Sequence, residues 1–469
     1  MHELTDDRRI AGRVGSVTYV ARQEELPLRR SDGARQGRIS AFSYMIDDGP
    51  PGRPVLFLTN GGPGVSSVYL HLSGIGPWRA RIPRDPQADG GPPYGIEESP
   101  STILDVADLV FLDAPGTGFG TIDDGTDAGA FRSVEGDADA IAVAISEWVN
   151  RHGRWDAPKF FLGESYGTQR AAFLATSAHN MDTAPLSGIA LLGQAVNIQE
   201  TLDRPGNIVG ALANLPYKAA TAWFHGAGSR EHATVDGAID AALDFARTDL
   251  ALAMLQGDAL PPSERAAVAA RLSSMIGIPS QELIDARLWI SKQDFRARLL
   301  PGRALGVTDS RYHLPSADRS FGELGLDPSD VALSPRYASG IAQLLPRVFG
   351  ASPDRPYRVV DQEAGRDWLW EDEGSAGFIS MGRPSPFHTY PYPARLSQWM
   401  KQMPHARLFV GTGIYDSLTT VGAADHLLRH WDLPRVRTES HRYAAGHMMY
   451  SDPDVAVQLN ADLRAFLTR

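Results

Sequence analysis

The sequence predicts an α/β protein: a doubly wound, mostly parallel sheet with a large, mostly helical insertion. Three observations carry this. Short apolar runs at Val55 to Thr59, Leu109 to Leu112, Lys159 to Leu162 and Ile189 to Leu192 have strand length and end at turn residues. Between two of them, Val134, Ala138, Ile141, Ile145 and Trp148 recur at helical spacing, which predicts an amphipathic helix against the sheet. From about Gly206 to Arg395 the pattern turns helical, with segments such as Val235 to Leu255 and Glu264 to Met275 parted by Pro261-Pro262 and Gly277. An opening pair of strands is expected at Arg13 to Arg22 and Ile39 to Ile46.

The third sheet run ends in Gly163-Glu164-Ser165-Tyr166-Gly167, followed by the helix-forming stretch Arg170-Ala171-Ala172-Phe173-Leu174-Ala175. A G-x-S-x-G turn between strand and helix is a nucleophile elbow: it lifts one serine out of the backbone in strained dihedrals. Ser165 is therefore the candidate nucleophile. A serine hydroxyl needs a base, and the base needs an orienting acid. In the α/β-hydrolase order these follow in loops after late strands, acid first. Ala406 to Gly413 reads as a buried strand whose loop carries Asp416. Arg437 to Tyr443 reads as the next strand, and its loop carries His447 before a final helix from Pro453 to Leu467. His441 is the rival base, within the strand. His426 and His430 stand four apart on a predicted helix, but Leu427 occupies the place of a zincin glutamate, so a solvated face is the better account.

Acyl transfer also needs donors aimed at an oxyanion. The run Leu56 to Thr59 leads into Asn60-Gly61-Gly62-Pro63-Gly64, where paired glycines let backbone N–H groups approach a substrate oxygen. The N–H groups of Gly62 and Tyr166 are the expected pair.

These residues together resemble the serine carboxypeptidases, peptidase family S10 of the α/β-hydrolase fold. Asn60-Gly61-Gly62-Pro63-Gly64-Val65-Ser66-Ser67 is similar to the family's NGGPGxSS block, the elbow to its GESYG, and Gly446-His447-Met448 to its GHM segment. Asp113-Ala114-Pro115-Gly116-Thr117-Gly118-Phe119 is similar to its DxPxGTGF stretch, one residue shorter. The blocks run in family order, with the nearest likeness to bacterial members. The resemblance implies a Ser165, Asp416, His447 triad and removal of C-terminal residues from peptides, with Asn60, Gly61 and Glu164 binding the substrate's terminal carboxylate. Glu164 beside that carboxylate implies a raised pKa and binding favoured by acidic pH. Two departures stand out. Many members carry a second acid before a Leu-Gly-Pro-like segment, where this chain has Ser73-Gly74-Ile75-Gly76-Pro77, and Val65 replaces the family cysteine.

With 43% hydrophobic residues the chain can bury a large core, and 45 basic against 56 acidic residues give a net charge of −11, which argues against nucleic-acid or anionic-membrane partners. No cysteine is present, so the fold rests on packing and suits a reducing compartment. The polar start Met1-His2-Glu3-Leu4-Thr5-Asp6-Asp7 lacks a signal-like apolar stretch, which predicts cytoplasmic residence; a processed secreted form would read the same.

Far more chain separates Ser165 from Asp416 than two further β–α units need, so the expected organisation is a core over residues 1–205, a helical cap over 206–395 and a second core part over 396–469. Ile239, Leu243, Ala246 and Leu250 are expected on one buried face. Glu371 to Tyr392, with Phe378, Phe387, Tyr390 and Tyr392, reads as a long loop. Trp78 and Arg79 follow the oxyanion block with no role assigned. No cofactor or metal is implied; the expected partner is a peptide or small acyl substrate, and a homodimer is compatible with the sequence. Two other functions use the same scaffold: an acyltransferase or esterase acting on a small molecule through the same acyl-enzyme, and a non-catalytic binding protein, which the intact Ser, Asp and His argue against.

Overall fold

The computed structural model describes residues 9–29, 33–47, 49–50, 52–88, 91–229, 231–316, 327–352, 354–370 and 392–469. The expected loop at 371–391, with Phe378, Phe387 and Tyr390, lies outside them. Strands are numbered in chain order: β1 Arg9–Val14, β2 Val17–Arg29, β3 Arg35–Met45, β4 Val55–Thr59, β5 Trp78–Ala80, β6 Ile96–Glu98, β7 Asp108–Asp113, β8 Thr121–Ile122, β9 Lys159–Glu164, β10 Gly188–Leu192, β11 Arg303–Leu305, β12 His313–Pro315, β13 Arg407–Gly413 and β14 Thr438–Tyr443.

The main sheet runs β1-β2-β3-β7-β4-β9-β10-β13-β14, with β8 beside β3. From β7 to β14 every pairing is parallel, while β1, β2 and β3 add an antiparallel edge. The opening differs from the expected pair of strands. Three strands form, because Gly15 at φ 55° closes a tight hairpin between β1 and β2 inside the stretch expected to be one strand.

Alternate residues of the central strands enter opposite cores, as a period of two requires. Leu56, Leu58, Leu109, Phe111, Phe160 and Leu162 face one layer, which the final helix Pro453–Thr468 covers. Val55, Phe57, Val110, Leu112 and Phe161 face the other, under the helices Val134–Arg151, Tyr166–Thr176 and Tyr392–Gln402. The helix Val134–Arg151 begins where Ser133 accepts a hydrogen bond from the Gly136 N–H, and it buries Val134, Ala138, Ile141, Ile145 and Trp148.

The residues between β10 and β13 pack in two ways. Helices from Leu215–His225 to Lys292–Arg298 enclose their own core of Tyr217, Phe245, Leu250, Leu272, Ile276 and Phe295. The helix Pro328–Leu344 instead joins the sheet's core through Leu333, Tyr337, Ile341 and Leu344. The face expected from Ile239 to Leu250 also divides. Ile239 and Leu243 pack toward Ile414 and Tyr415, whereas Ala246 and Leu250, in a π-helical turn at Ala246–Leu250, enter the helical core. Among the described residues no helix is long and apolar enough to cross a membrane.

Candidate active site

Ser165 lies between β9 and the helix Tyr166–Thr176 with φ 59° and ψ −125°. That is a strained conformation for a residue with a side chain. Its surroundings enforce it: the Ser165 N–H donates to the Leu192 carbonyl at 2.9 Å, and its own carbonyl accepts from the Thr168 hydroxyl at 2.6 Å. A Cβ at Gly163 would collide with the Gly167 carbonyl, so the flanking glycines are what let strand and helix close this tightly.

The loop after β4 packs directly on the elbow. A Cβ at Gly61 would stand 2.6 Å from the Tyr166 nitrogen and 2.9 Å from the Ser165 Cβ. Tyr166 opens its helix, where N–H groups have no intrahelical acceptor, and Gly62 follows Gly61 at φ 106°. The residue before one expected oxyanion donor thus packs against the nitrogen of the other. Ser67 anchors the loop, donating from its N–H to Asp113 Oδ1 at 2.8 Å. Asp113 also accepts from Ser40 and Tyr357, and its burial pushes the carboxyl up to about 6.

Asp416 and His447 meet as expected from chain order. His447 Nδ1 lies 2.6 Å from Asp416 Oδ2, and both side chains are buried. Asp416 Oδ1 further accepts from the N–H groups of Leu418 at 2.7 Å and Thr419 at 3.2 Å. Burial pulls the imidazole down, but the charge and hydrogen bond of Asp416, with Glu164 and Asp330 beyond, carry it up to about 9. His441 is elsewhere, stacked on Phe409 at 4.8 Å and 3.4 Å from Asp462. His426 and His430 stack on each other, with His426 3.3 Å from Glu200. Trp78 and Arg79 are structural: Trp78 donates to the Tyr19 hydroxyl at 3.2 Å and Arg79 pairs with Glu97 at 2.6 Å.

Glu164 precedes the nucleophile and is 3% exposed. Burial pushes its carboxyl up to about 7, against the pull of His447 and of a 2.5 Å hydrogen bond from the Tyr450 hydroxyl. Asn60 lies alongside. Its Oδ1 accepts from the Leu70 N–H at 3.0 Å, and its side chain helps pull down the pKa of both Glu164 and Tyr450. A carboxyl whose pKa is raised and an amide NH2 nearby can together present donors to an anionic group when the carboxyl holds its proton.

Several supporting residues escaped the sequence analysis. Tyr450 follows His447 by three residues, yet nothing local to it points at Glu164. Asp137 and Arg170 form a 2.6 Å ion pair, each 1% exposed, that also holds the Tyr166 hydroxyl and the Asn60 carbonyl. Their signal was a charge on each of two apolar helix stripes. The turn Val307 to Arg311 braces both late loops: the His447 N–H donates to the Thr308 carbonyl at 2.6 Å, the Gly446 N–H to Asp309 at 3.1 Å and the Ser417 N–H to the Val307 carbonyl at 3.2 Å. Among the described residues no group of three or more His, Asp or Glu could hold a metal ion.

Fold and site define a serine hydrolase of the α/β-hydrolase class. Within that class, residues 42–201 match the family model for serine carboxypeptidases, peptidase family S10. Among solved structures it is similar to the prohormone-processing carboxypeptidase Kex1 of Saccharomyces cerevisiae, at 14% identity and a TM-score of 0.55, over 96% of this chain and 91% of that one. A proline iminopeptidase of Mycobacterium smegmatis aligns at 14% identity and a TM-score of 0.36, over 95% of this chain and 97% of that one. A carboxyl esterase of Bacillus coagulans aligns at 13% identity and 0.39, again over 95% and 97%. No curated protein matches by sequence.

Proposed function

We propose that the protein removes residues from the C-termini of peptides through an acyl-enzyme on Ser165. His447 takes the serine proton and returns it to the leaving amine, Asp416 holds the imidazole, and the Gly62 and Tyr166 N–H groups receive the oxyanion. Asn60, Gly61 and Glu164 hold the substrate's free carboxylate. The observation that carries the exopeptidase reading is the buried Glu164 carboxyl, raised to about 7 and grouped with the Asn60 amide and the Tyr450 hydroxyl beside the elbow. Two carboxylates repel, so the pocket accepts the substrate best while Glu164 keeps its proton. The cysteine-free chain supports a bacterial type of enzyme acting in a reducing, cytoplasmic compartment.

The test compares hydrolysis of an N-blocked dipeptide with that of its C-terminal amide from acidic to neutral pH, with Ser165→Ala as blank. Cleavage of the free acid alone, with a KM that rises as pH passes about 7, is the expected result. Equal cleavage of both, or acyl-enzyme formation without peptide turnover, would put an esterase or acyltransferase in its place.

A further inference from the structure

One buried polar group near the elbow is not used above. Tyr337, on the helix Pro328–Leu344, is 1% exposed, and its hydroxyl is buried with no hydrogen-bond partner among the described residues. A buried donor left unpaired is destabilising, so a native structure that keeps one calls for an explanation such as a ligand.

The surroundings of that hydroxyl identify the ligand's chemistry. The Tyr337 ring meets Tyr69 edge-on, with centroids 5.0 Å apart. Tyr69 precedes Leu70, whose N–H fixes Asn60. Glu164 and Tyr450, joined by their own hydrogen bond, are the other groups nearby. Burial and the nearby Glu164 charge hold the Tyr337 phenol well above its usual range, and Tyr450 in turn feels Tyr337, so the three groups lie within electrostatic reach of one another. Tyr450 already spends its proton on Glu164, whereas the Tyr337 proton is uncommitted. An amide, a carboxyl that holds its proton and a free phenol together match a carboxylate, whose two oxygens accept several hydrogen bonds.

We propose that the Tyr337 hydroxyl donates to the terminal carboxylate of the peptide, taking the place of the second acid that the segment Ser73 to Pro77 lacks. A phenol donates without first having to be protonated, which suits a site that has one carboxyl instead of two. The assignment rests on the carboxypeptidase function proposed above.

The experiment measures KM and kcat of wild type and Tyr337→Phe on an N-blocked dipeptide acid and on an N-blocked amino-acid ethyl ester that has no free carboxylate, together with Tm. A hydrogen bond to a charged group predicts a KM for the acid raised about 10-fold or more, with kcat and the ester reaction unchanged. Tm should hold or rise, because the substitution removes an unpaired donor. If wild type prefers the dipeptide acid to its amide and Tyr337→Phe leaves the KM for the acid within about twofold, the Tyr337 assignment falls while the carboxypeptidase function stands. Equal losses on acid and ester, or a fall in Tm with KM unchanged, mark a structural role and also overturn it. A wild type indifferent to the free carboxylate removes both.

Discussion

Glu164 is joined to the nucleophile through the backbone and to His447 through space, so its proton affects both binding and catalysis. If Glu164 holds the substrate's carboxylate as proposed, its carboxyl raised to about 7 should make binding weaken as pH climbs through that value. Glu164→Gln keeps a donor at the same place and cannot ionise. The KM of this variant for a free-acid dipeptide should therefore stay level from about pH 5 to about pH 8, where that of wild type rises. Removing the Glu164 charge also takes one support from the raised His447, so the acid limb of kcat should move to lower pH. Stability follows the same sign. A carboxyl raised above its unfolded value stabilises fully below the unfolded pKa, and that contribution is lost as pH passes the folded one. Glu164→Gln should match wild type in acid and exceed it above neutrality, by up to about 3 kcal/mol less whatever His447 returns. A KM for the variant that still rises with pH would show that another group controls binding.

At the scale of elements, the helices Val134–Arg151 and Tyr166–Thr176 are locked by Asp137 and Arg170, and through them to the site. Arg170 donates to the Asn60 carbonyl at 2.7 Å, and the Tyr166 hydroxyl donates to Asp137 at 3.0 Å. Asp137→Ala leaves a buried guanidinium unpaired, which should cost about 3–5 kcal/mol in urea unfolding. A loss below about 1 kcal/mol would mean that water reaches the pair. The sequence showed the pattern around this lock but not the lock itself. The elbow, the glycine loop and the acid and histidine loops were legible because each is a short motif at a strand end, where local spacing dictates geometry. The strands β4, β7 and β9 were legible as short apolar runs of strand length ending at turn residues. The β1–β2 hairpin was missed because a single Gly15 turns the chain between two runs that read as one. The π-helical turn at Ala246–Leu250 was missed because nothing at that position departs from helical propensity. Tyr450 and Asp309 were invisible because their meaning lies in partners from distant segments.

Across the whole molecule, the region between β10 and β13 does more than cover the core. Its turn from Val307 to Arg311 holds the acid loop and the histidine loop together, and Asp327 anchors the turn by accepting from the Val307 and Thr308 N–H groups at 2.7 and 3.0 Å. Asp309 is the centre of this brace. It accepts from the Gly446 N–H and pairs with Arg311 at 2.8 Å, while Arg311 reaches Asp452 at 2.8 Å and the Ala444 carbonyl at 3.0 Å. The position of His447 relative to Asp416 is therefore set partly from outside the sheet. Asp309→Asn preserves size but gives up the charge that holds Arg311, so the histidine loop should loosen without altering the carboxylate pocket. The expected outcome is a kcat lowered about 10- to 100-fold with KM little changed, since a catalytic group displaced by about 1 Å costs on that order. Labelling of Ser165 by a fluorophosphonate should slow in parallel, because that reaction also draws on His447. If kcat holds while only the unfolding midpoint falls, the brace contributes to stability alone, and the β13 and β14 loops position the histidine unaided.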